Sequence, residues 1–239
     1  TNSPEVLIER ARLMERQGKH AEALEAYTEA IRQRPREAML HYDRGVVYGQ
    51  LEQFDLAIKE YTRAIEIDPA LARAYNNRAV AHAQLKDFDA AIKDCDKAID
   101  LEPNDSLAFR NRGLAYHDLG QYDKALADYD TSIRNDGRSA ISYFNRGNVY
   151  LELKKFDRAI EDYDQALTLN SKHALSLQNR GIAFASIGQR EKAEKVLHRR
   201  APGRDGVMHA VDEAAHRRRD MVLATEALVK QRELMPDLG

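Results

Sequence analysis

The chain has 239 residues, with 37 lysines and arginines against 39 aspartates and glutamates, and therefore a formal net charge of −2. This balance argues against a general nucleic-acid binder, and a single cysteine, Cys95, permits no internal disulfide. No run of about 18 apolar residues and no leader-like opening segment occurs, so we expect a soluble, cytoplasmic protein without a membrane partner.

The sequence repeats every 34 residues. An arginine followed by a small residue marks each copy, at Arg10-Ala11, Arg44-Gly45, Arg78-Ala79, Arg112-Gly113, Arg146-Gly147 and Arg180-Gly181. A fixed period between about 20 and 50 residues is typical of stacked supersecondary units. The period therefore predicts a solenoid instead of one globular core.

Each copy contains two helical patterns. In residues 106–139, two stripes have the spacing of a helix face: Phe109, Gly113 and Tyr116, and then Ala125, Tyr129 and Ser132. Gly120 separates the two stripes, and Asp136-Gly137 closes the copy. The pattern predicts a helix, a turn and a second helix.

Six such copies follow one another, at residues 4–37, 38–71, 72–105, 106–139, 140–173 and 174–203. The sixth is degenerate, because Glu194 and Arg200 replace residues that are apolar or small in other copies, and Pro202-Gly203 then breaks the chain. Residues 204–239 have apolar residues near helical spacing. Because a solenoid leaves the apolar side of its last unit bare, we expect this segment to form a C-terminal capping helix or helices.

The copies resemble the tetratricopeptide repeat (TPR) family. When each copy is numbered from its first residue, position 8 is small, and position 20 is alanine throughout: Ala23, Ala57, Ala91, Ala125, Ala159 and Ala193. Position 24 is large in Tyr27, Tyr61, Tyr129, Tyr163 and Leu197, with Cys95 as a small exception, and position 27 is Ala30, Ala64, Ala98, Ser132 and Ala166. The resemblance implies an all-α solenoid of about six TPR units in a right-handed superhelix.

Arginine at position 7 departs from the family, which more often has leucine there. The second helix of most copies carries acids at position 23 (Glu60, Asp94, Asp128, Asp162) and position 25 (Asp96, Asp130, Asp164). We expect Arg78, Arg112, Arg146 and Arg180 to pair with these carboxylates. A phosphate-binding arginine ladder is the alternative, which the nearby acids disfavour.

The resemblance places the functional surface on the first helix of each copy, at positions 2, 5, 6, 9, 12 and 13. Position 6 is Asn77, Asn111, Asn145 and Asn179, preceded by Glu9 and Asp43. A row of amides can bind an extended backbone, as in the similar asparagine ladder of the O-linked N-acetylglucosamine transferases. The alternative is that these asparagines bridge neighbouring helices. If they are groove residues, their replacement by alanine should change stability by less than about 0.5 kcal/mol each.

Other residues of the predicted groove supply apolar contacts or further hydrogen bonds. The apolar ones are Tyr42, Leu107, Ile141, Phe144 and Leu151, and the polar ones are Asn76, Arg110 and Asn148. The family's carboxylate clamp for chaperone C-termini is not predicted, because Phe144 stands where that clamp has lysine.

Residues with catalytic spacing are lacking, so we expect no enzyme activity, no cofactor and no metal. His209, Glu213 and His216 would share one helix face, but a solvated polar face explains them better than a metal site. The basic run Arg217–Arg219 likewise has two interpretations, as a solvated surface or as a site for an acidic partner.

Three functions fit these observations to different degrees. The favoured one is a non-catalytic scaffold that binds an extended peptide or partner segment in the concave groove. The second is a targeting fragment of a larger enzyme such as a glycosyltransferase. The third is an RNA-binding repeat protein, which is disfavoured because such grooves are basic.

Overall fold

The computed structural model of the chain describes residues 3–198. The predicted capping segment 204–239 lies outside the described residues, as do Arg217–Arg219 and the three candidate metal ligands His209, Glu213 and His216. Within residues 3–198 the structure contains twelve α-helices and no strand, which confirms the all-α fold of helix-turn-helix repeats.

Two helices alternate regularly along the chain. The first helices of the copies have 13 residues each: α1 (Pro4–Arg16), α3 (Ala38–Gln50), α5 (Ala72–Gln84), α7 (Ser106–Asp118), α9 (Ala140–Glu152) and α11 (Ala174–Ser186). The second helices are α2 (His20–Gln33), α4 (Phe54–Ile67), α6 (Phe88–Leu101), α8 (Tyr122–Asn135), α10 (Phe156–Leu169) and the shorter α12 (Arg190–His198).

The chain divides into two compact units. The first unit, residues 1–137, contains α1 to α8, and the described part of the second, residues 138–198, contains α9 to α12. In each unit the two helices of a copy pack against each other, and each second helix packs against the next first helix within that unit. First helices also adjoin one another: α3 and α7 both contact α5, and α9 contacts α11.

The turn inside each copy places its fifteenth residue in the left-handed region. Gly18, Gly120 and Gly188 have φ of 72°, 71° and 81°, which glycine adopts without a steric penalty. Glu52, Lys86 and Lys154 occupy the same position with φ of 57°, 62° and 58°. For a residue with a Cβ this conformation costs about 1 kcal/mol, so three of the turns are strained.

Small residues at position 8 let the two helices of a copy approach closely. A Cβ built on Gly45 would lie 2.7 Å from Cε1 of Tyr61, and a Cβ on Gly147 would lie 2.8 Å from the same atom of Tyr163. The tyrosine at position 24 therefore occupies the space that a glycine leaves. This confirms position 8 as a packing site.

The third copy combines a larger residue at position 8 with a smaller one at position 24. Ala79 and Cys95 belong to one buried cluster, and the Cys95 side chain is completely buried. Cys95, the small exception at position 24, is therefore a core residue. The first copy nevertheless buries Ala11 together with Tyr27, so a terminal helix pair can accommodate both side chains.

The four position-7 arginines that were predicted to pair with acids, Arg78, Arg112, Arg146 and Arg180, do so. Nε and Nη2 of Arg112 donate to the two carboxylate oxygens of Asp128 at 2.8 and 2.7 Å, while Nη1 donates to Asp96 of the preceding copy at 2.6 Å. Its guanidinium also lies 5.5 Å from the Phe109 ring centroid and 5.9 Å from that of Tyr116. The hydrogen bonds to Asp128 are the main cause of the raised pKa of Arg112, so this cation is permanently charged and neutralised in place.

Equivalent pairs occur in other copies. Arg78 binds Asp94 and Arg146 binds Asp162 in the same bidentate arrangement, with Nε and Nη2 each donating to one carboxylate oxygen. Arg44 donates to Glu60, and Arg180 contacts Asp164 of the preceding copy. Since these guanidinium groups have acidic partners, the arginine row is structural, and the phosphate-binding alternative loses support.

Candidate peptide-binding groove

The predicted groove residues divide evenly between the two units. The first unit holds Tyr42, Asn76, Asn77, Leu107, Arg110 and Asn111, and the second holds Ile141, Phe144, Asn145, Asn148, Leu151 and Asn179.

In the first unit the surface of α5 and α7 carries exposed apolar side chains. Leu107 is 47% exposed, Val80 40% and Leu114 38%. All three lie on first helices, at positions 2 and 9, where the repeat pattern predicted the groove. Isolated exposed apolar residues are common, but these three lie on two helices that contact each other.

The asparagines of this surface bridge adjacent copies. Asn77 donates through Nδ2 to the Tyr42 hydroxyl at 3.0 Å, and Asn111 donates to Oδ1 of Asn76 at 2.7 Å. Asn76 is buried and donates in turn to Asp105 at 3.4 Å. The bonds from Asn77 and Asn111 each join position 6 of one copy to position 5 of the copy before it. The bridging interpretation is therefore correct for these two amide donors.

Their carbonyl oxygens have a different environment. Among the described residues, no side chain donates to Oδ1 of Asn111, whereas the Asn77 side chain also forms a hydrogen bond with Tyr61. Both asparagine side chains are half-buried. An amide fixed by its own donor presents its acceptor in a constant direction, which suits recognition of a backbone N–H.

The second unit uses another acceptor. Asn179 donates to Oδ1 of Asn148 at 2.8 Å, and the same oxygen accepts from the Tyr163 hydroxyl at 2.8 Å. Phe144 stands at position 5 and offers no acceptor. It packs instead against His173, with ring centroids 4.9 Å apart. Asn145 and Leu151 are half-buried, and Ile141 is exposed.

A cleft of about 280 Å³ opens beside Asn77 in the first unit. Its walls are mostly apolar and come from α3, α4 and α5: Val46, Gly49, Gln50, Phe54, Tyr61, Asn77, Val80 and Ala81. Gly49 leaves the space, because a Cβ there would have only the Tyr61 hydroxyl within 4 Å, at 3.6 Å. Asn77 and the Tyr61 hydroxyl supply polar groups along the cleft.

Sequence reasoning missed this cleft. The groove residues predicted from the sequence include Asn77 but not Val46, Gly49 or Val80. The signal was present at position 12, where the other copies carry Glu15, Ala83, His117, Leu151 and Ala185 and only the second copy carries glycine. A glycine inside a helix costs about 1 kcal/mol relative to alanine, so its presence there favours a reason in packing or binding.

Two charged groups in the first unit are partly withdrawn from water. Burial raises the pKa of Asp43, which lies 3.5 Å from Nη2 of Arg12. Burial also lowers the pKa of Arg110, the largest effect on this group. Unlike the position-7 arginines, Arg110 forms no ion pair or hydrogen bond with any described side chain.

Within residues 3–198 no group of three or more His, Cys, Asp or Glu side chains is arranged to hold a metal ion. None of the helices in this part of the chain combines the length and apolar character that a bilayer span requires.

Solved structures with this architecture come from several proteins. PilF of Pseudomonas aeruginosa has a TM-score of 0.74 at 21% identity, covering 90% of this chain and 97% of its own. YrrB, described as a TPR protein with an unusual peptide-binding site, has a TM-score of 0.57 at 23% identity, covering 72% and 88%. MamA of Desulfovibrio magneticus has a TM-score of 0.64 at 17% identity, covering 73% and 98%. At these identities the likeness shows the fold.

Sequence comparison identifies the repeats themselves. Among curated proteins, none matches the chain significantly. Tetratricopeptide repeat profiles match residues 8–72, 72–105, 95–127 and 140–173, and a TPR repeat profile matches residues 113–154. Together these matches extend from residue 8 to residue 173, which is more than half of the chain. The chain belongs to the tetratricopeptide repeat family.

Proposed function

We propose that this protein is a non-catalytic scaffold that binds an extended peptide segment of a protein partner on the first-helix surface of its first unit. The cleft beside Asn77 is the observation that carries the proposal. It offers apolar walls from Val46 and Val80, an open side toward solvent, and polar groups at Asn77 and Tyr61. Apolar pockets with a few fixed polar groups are the usual form of a binding site.

The cleft suits one apolar side chain of a peptide whose backbone runs past Asn77. Its volume of about 280 Å³ exceeds what a leucine or phenylalanine side chain fills. A backbone N–H of the same peptide would meet Oδ1 of Asn77, whose amide N–H donates to Tyr42. Alternate side chains would then contact the exposed surface of Val80, Leu107 and Leu114.

The proposal agrees with the family and with one solved relative. YrrB, whose fold this chain shares, is described as having a peptide-binding site. The transfer to this chain is part of the proposal, because the two sequences are 23% identical.

Selection of peptides from a phage-displayed library of random twelve-residue peptides, with the full chain as target, tests the proposal. Selected peptides should bind wild type, and Gly49→Leu should weaken them about ten- to a hundred-fold, because the leucine fills the cleft and removes burial of one apolar side chain. Gly49→Leu should not lower the melting temperature, since leucine is the better helix former and the position is open.

Gly137→Leu is the matched control. It makes the same substitution in the same unit, at an exposed turn where a Cβ would lie 3.7 Å from the Ile133 carbonyl oxygen. Its peptide affinity should equal that of wild type. Failure to enrich any peptide, or equal weakening by both leucine variants, would reject a peptide site at this cleft.

A further inference from the structure

Exposed leucines form a row along the turns inside the copies of the first unit. Position 14, the C-cap of each first helix, is Leu51, Leu85 and Leu119 in the second, third and fourth copies. These side chains are 36%, 44% and 39% exposed. Because α5 contacts both α3 and α7, the three turns lie side by side. This row, together with the residue at position 15 of each of these turns, is the turn edge.

Position 15 of the turn edge carries two charged residues in a strained conformation. Glu52 and Lys86 have φ of 57° and 62°, whereas the first and fourth copies have Gly18 and Gly120 at this position. Glycine adopts such angles without strain, so the two charged residues favour a use for their side chains. Both are exposed, and among residues 3–198 neither has an ion-pair partner.

The turn edge is complementary to itself. Glu52 and Lys86 have opposite charges and stand one copy apart. A twofold axis between the second and third turns would place Glu52 of one chain beside Lys86 of a second copy, and the reverse pair on the other side of the axis. The same axis would place Leu51 against Leu85 of the second copy. Such self-complementarity is what an isologous dimer interface requires.

The residues beside the turn edge are compatible with this arrangement. Leu56, in the first turn of α4, is 41% exposed and widens the apolar surface. Asp87 follows Lys86 but accepts from the Ala90 N–H as the N-cap of α6. Asp55 and Asp89 lie in the first turns of α4 and α6, where the helix dipole favours a negative charge. These acids therefore have favourable interactions within their own chain.

We propose that the turn edge joins two copies of this chain in an antiparallel dimer, with Leu51 against Leu85 of the second copy and Glu52 paired with Lys86 of the second copy. Burial of the leucines supplies most of the affinity. The exposed charge pairs fix the register, because only the second and third copies of the first unit carry charged residues at position 15. The surface is small, so the dissociation constant should be about 10–300 µM.

The dimer is independent of the proposed peptide site. None of the residues of the turn edge lines the cleft beside Asn77. A chain in the dimer therefore keeps its cleft open, and two linked clefts would bind a partner with two copies of the recognised segment more tightly than one cleft does.

Sedimentation velocity of the full chain at about 5–500 µM tests the inference, since this range spans the expected dissociation constant. Wild type should shift from monomer to dimer across the range. Glu52→Lys alone and Lys86→Glu alone each place like charges together at both ends of the interface, and each should weaken the dimer about ten-fold or more. The double variant, Glu52→Lys with Lys86→Glu, restores opposite charges and should dimerise within about three-fold of wild type.

Two matched controls keep the turn edge intact. Lys97→Glu makes the same charge change at an exposed site on α6 of the third copy, and it should dimerise as wild type does. Leu85→Ser should weaken the dimer, whereas Leu114→Ser, at an equally exposed leucine on α7, should not. Circular dichroism confirms that each variant is folded.

Cross-linking provides a direct second measurement. A carbodiimide joins a carboxylate to an amine only where the two are in contact, and a mixture of ¹⁴N- and ¹⁵N-labelled protein distinguishes links between chains from links within one chain. Mass spectrometry should find Glu52 of one chain linked to Lys86 of another. The inference is overturned if wild type stays monomeric at the highest concentration, if the single reversals dimerise like wild type, or if the folded double variant does not recover.

Discussion

Replacing Gly147 by leucine should destabilise the second unit by about 2 kcal/mol. A Cβ at this position would already lie 2.8 Å from Cε1 of Tyr163 and 3.3 Å from Cβ of Asp162. Tyr163 cannot easily move away, since it is completely buried and donates to Asn148 at 2.8 Å. Overfilling of this kind costs up to about 3 kcal/mol. The higher helix propensity of leucine returns about 1 kcal/mol.

The assay is urea denaturation followed by circular dichroism, with hydrogen exchange of α9 and α10 to localise the effect. Gly49→Leu is the matched control: the same substitution in a first helix, at a place where a Cβ meets only one side-chain atom at 3.6 Å. The control should be at least as stable as wild type. An unchanged midpoint for Gly147→Leu, or equal losses in both variants, would refute the packing argument.

A double-mutant cycle in the third copy extends the test. Cys95→Tyr alone should destabilise the protein, because Ala79 occupies the space that glycine leaves opposite tyrosine in other copies. Addition of Ala79→Gly should recover at least about 1 kcal/mol of that loss, as a coupling energy between contacting residues. Additive effects of the two substitutions would contradict the pairing of positions 8 and 24.

Four further predictions concern single sites. Lys86→Gly should stabilise the protein by about 0.5–1 kcal/mol in thermal melts, because φ there is 62°. Asp128→Asn should lower the free energy of unfolding by about 2 kcal/mol in urea denaturation, because it breaks the bidentate pair with Arg112. A loss below about 0.5 kcal/mol would contradict this prediction. Asn111→Ala should cost about 1–2 kcal/mol, since it leaves the Asn76 carbonyl without its donor. Burial raises the pKa of Cys95 to about 12, so the native thiol should resist Ellman's reagent at pH 8. In the unfolded chain the thiol ionises near pH 8.5. The buried neutral thiol therefore contributes its full stability below about pH 8.5, and this contribution is lost as the pH rises toward 12.

The repeat architecture could be predicted from sequence because its determinants recur at fixed spacing. In four copies the arginine at position 7 stands 16 residues before an acid at position 23, and that constant interval is enough to predict the pairs from Arg78 to Asp94 and from Arg112 to Asp128. The buried alanines at position 20 are equally regular. Periodic packing is a local property of the motif, so one sequence reveals it without an alignment.

Features that depend on how neighbouring copies differ were harder to predict. The sequence identified the asparagines of position 6 but not the direction of their amides, which depends on whether position 5 of the preceding copy offers an acceptor. Tyr42 and Asn76 do, whereas Phe144 does not, and Asn179 then binds Asn148. Because Asn111 donates to the buried Asn76, replacing Asn111 by alanine should cost more stability than the replacement of a groove residue without such a bond. The Gly49 cleft arises because the second copy lacks a side chain at position 12. A comparison of the residue types that recur between copies does not reveal such an absence.

The hydrogen bonds that position-7 arginines donate to the preceding copy differ in strength along the chain. These differences affect how cooperatively neighbouring copies unfold. The acceptor at position 25 of the preceding copy is a neutral hydroxyl for Arg44 and Arg78, which donate to Thr28 at 3.1 Å and Thr62 at 2.9 Å. For Arg112 and Arg180 it is a carboxylate, from Asp96 and Asp164. Charged acceptors give stronger bonds, and in a repeat array each such bond adds to the coupling between nearest neighbours. The Arg12–Asp43 pair also joins the first two copies, so the weaker arginine bond matters most between the second and third copies. We therefore expect α1 to α4 to open under conditions that leave α6, α7 and α8 folded.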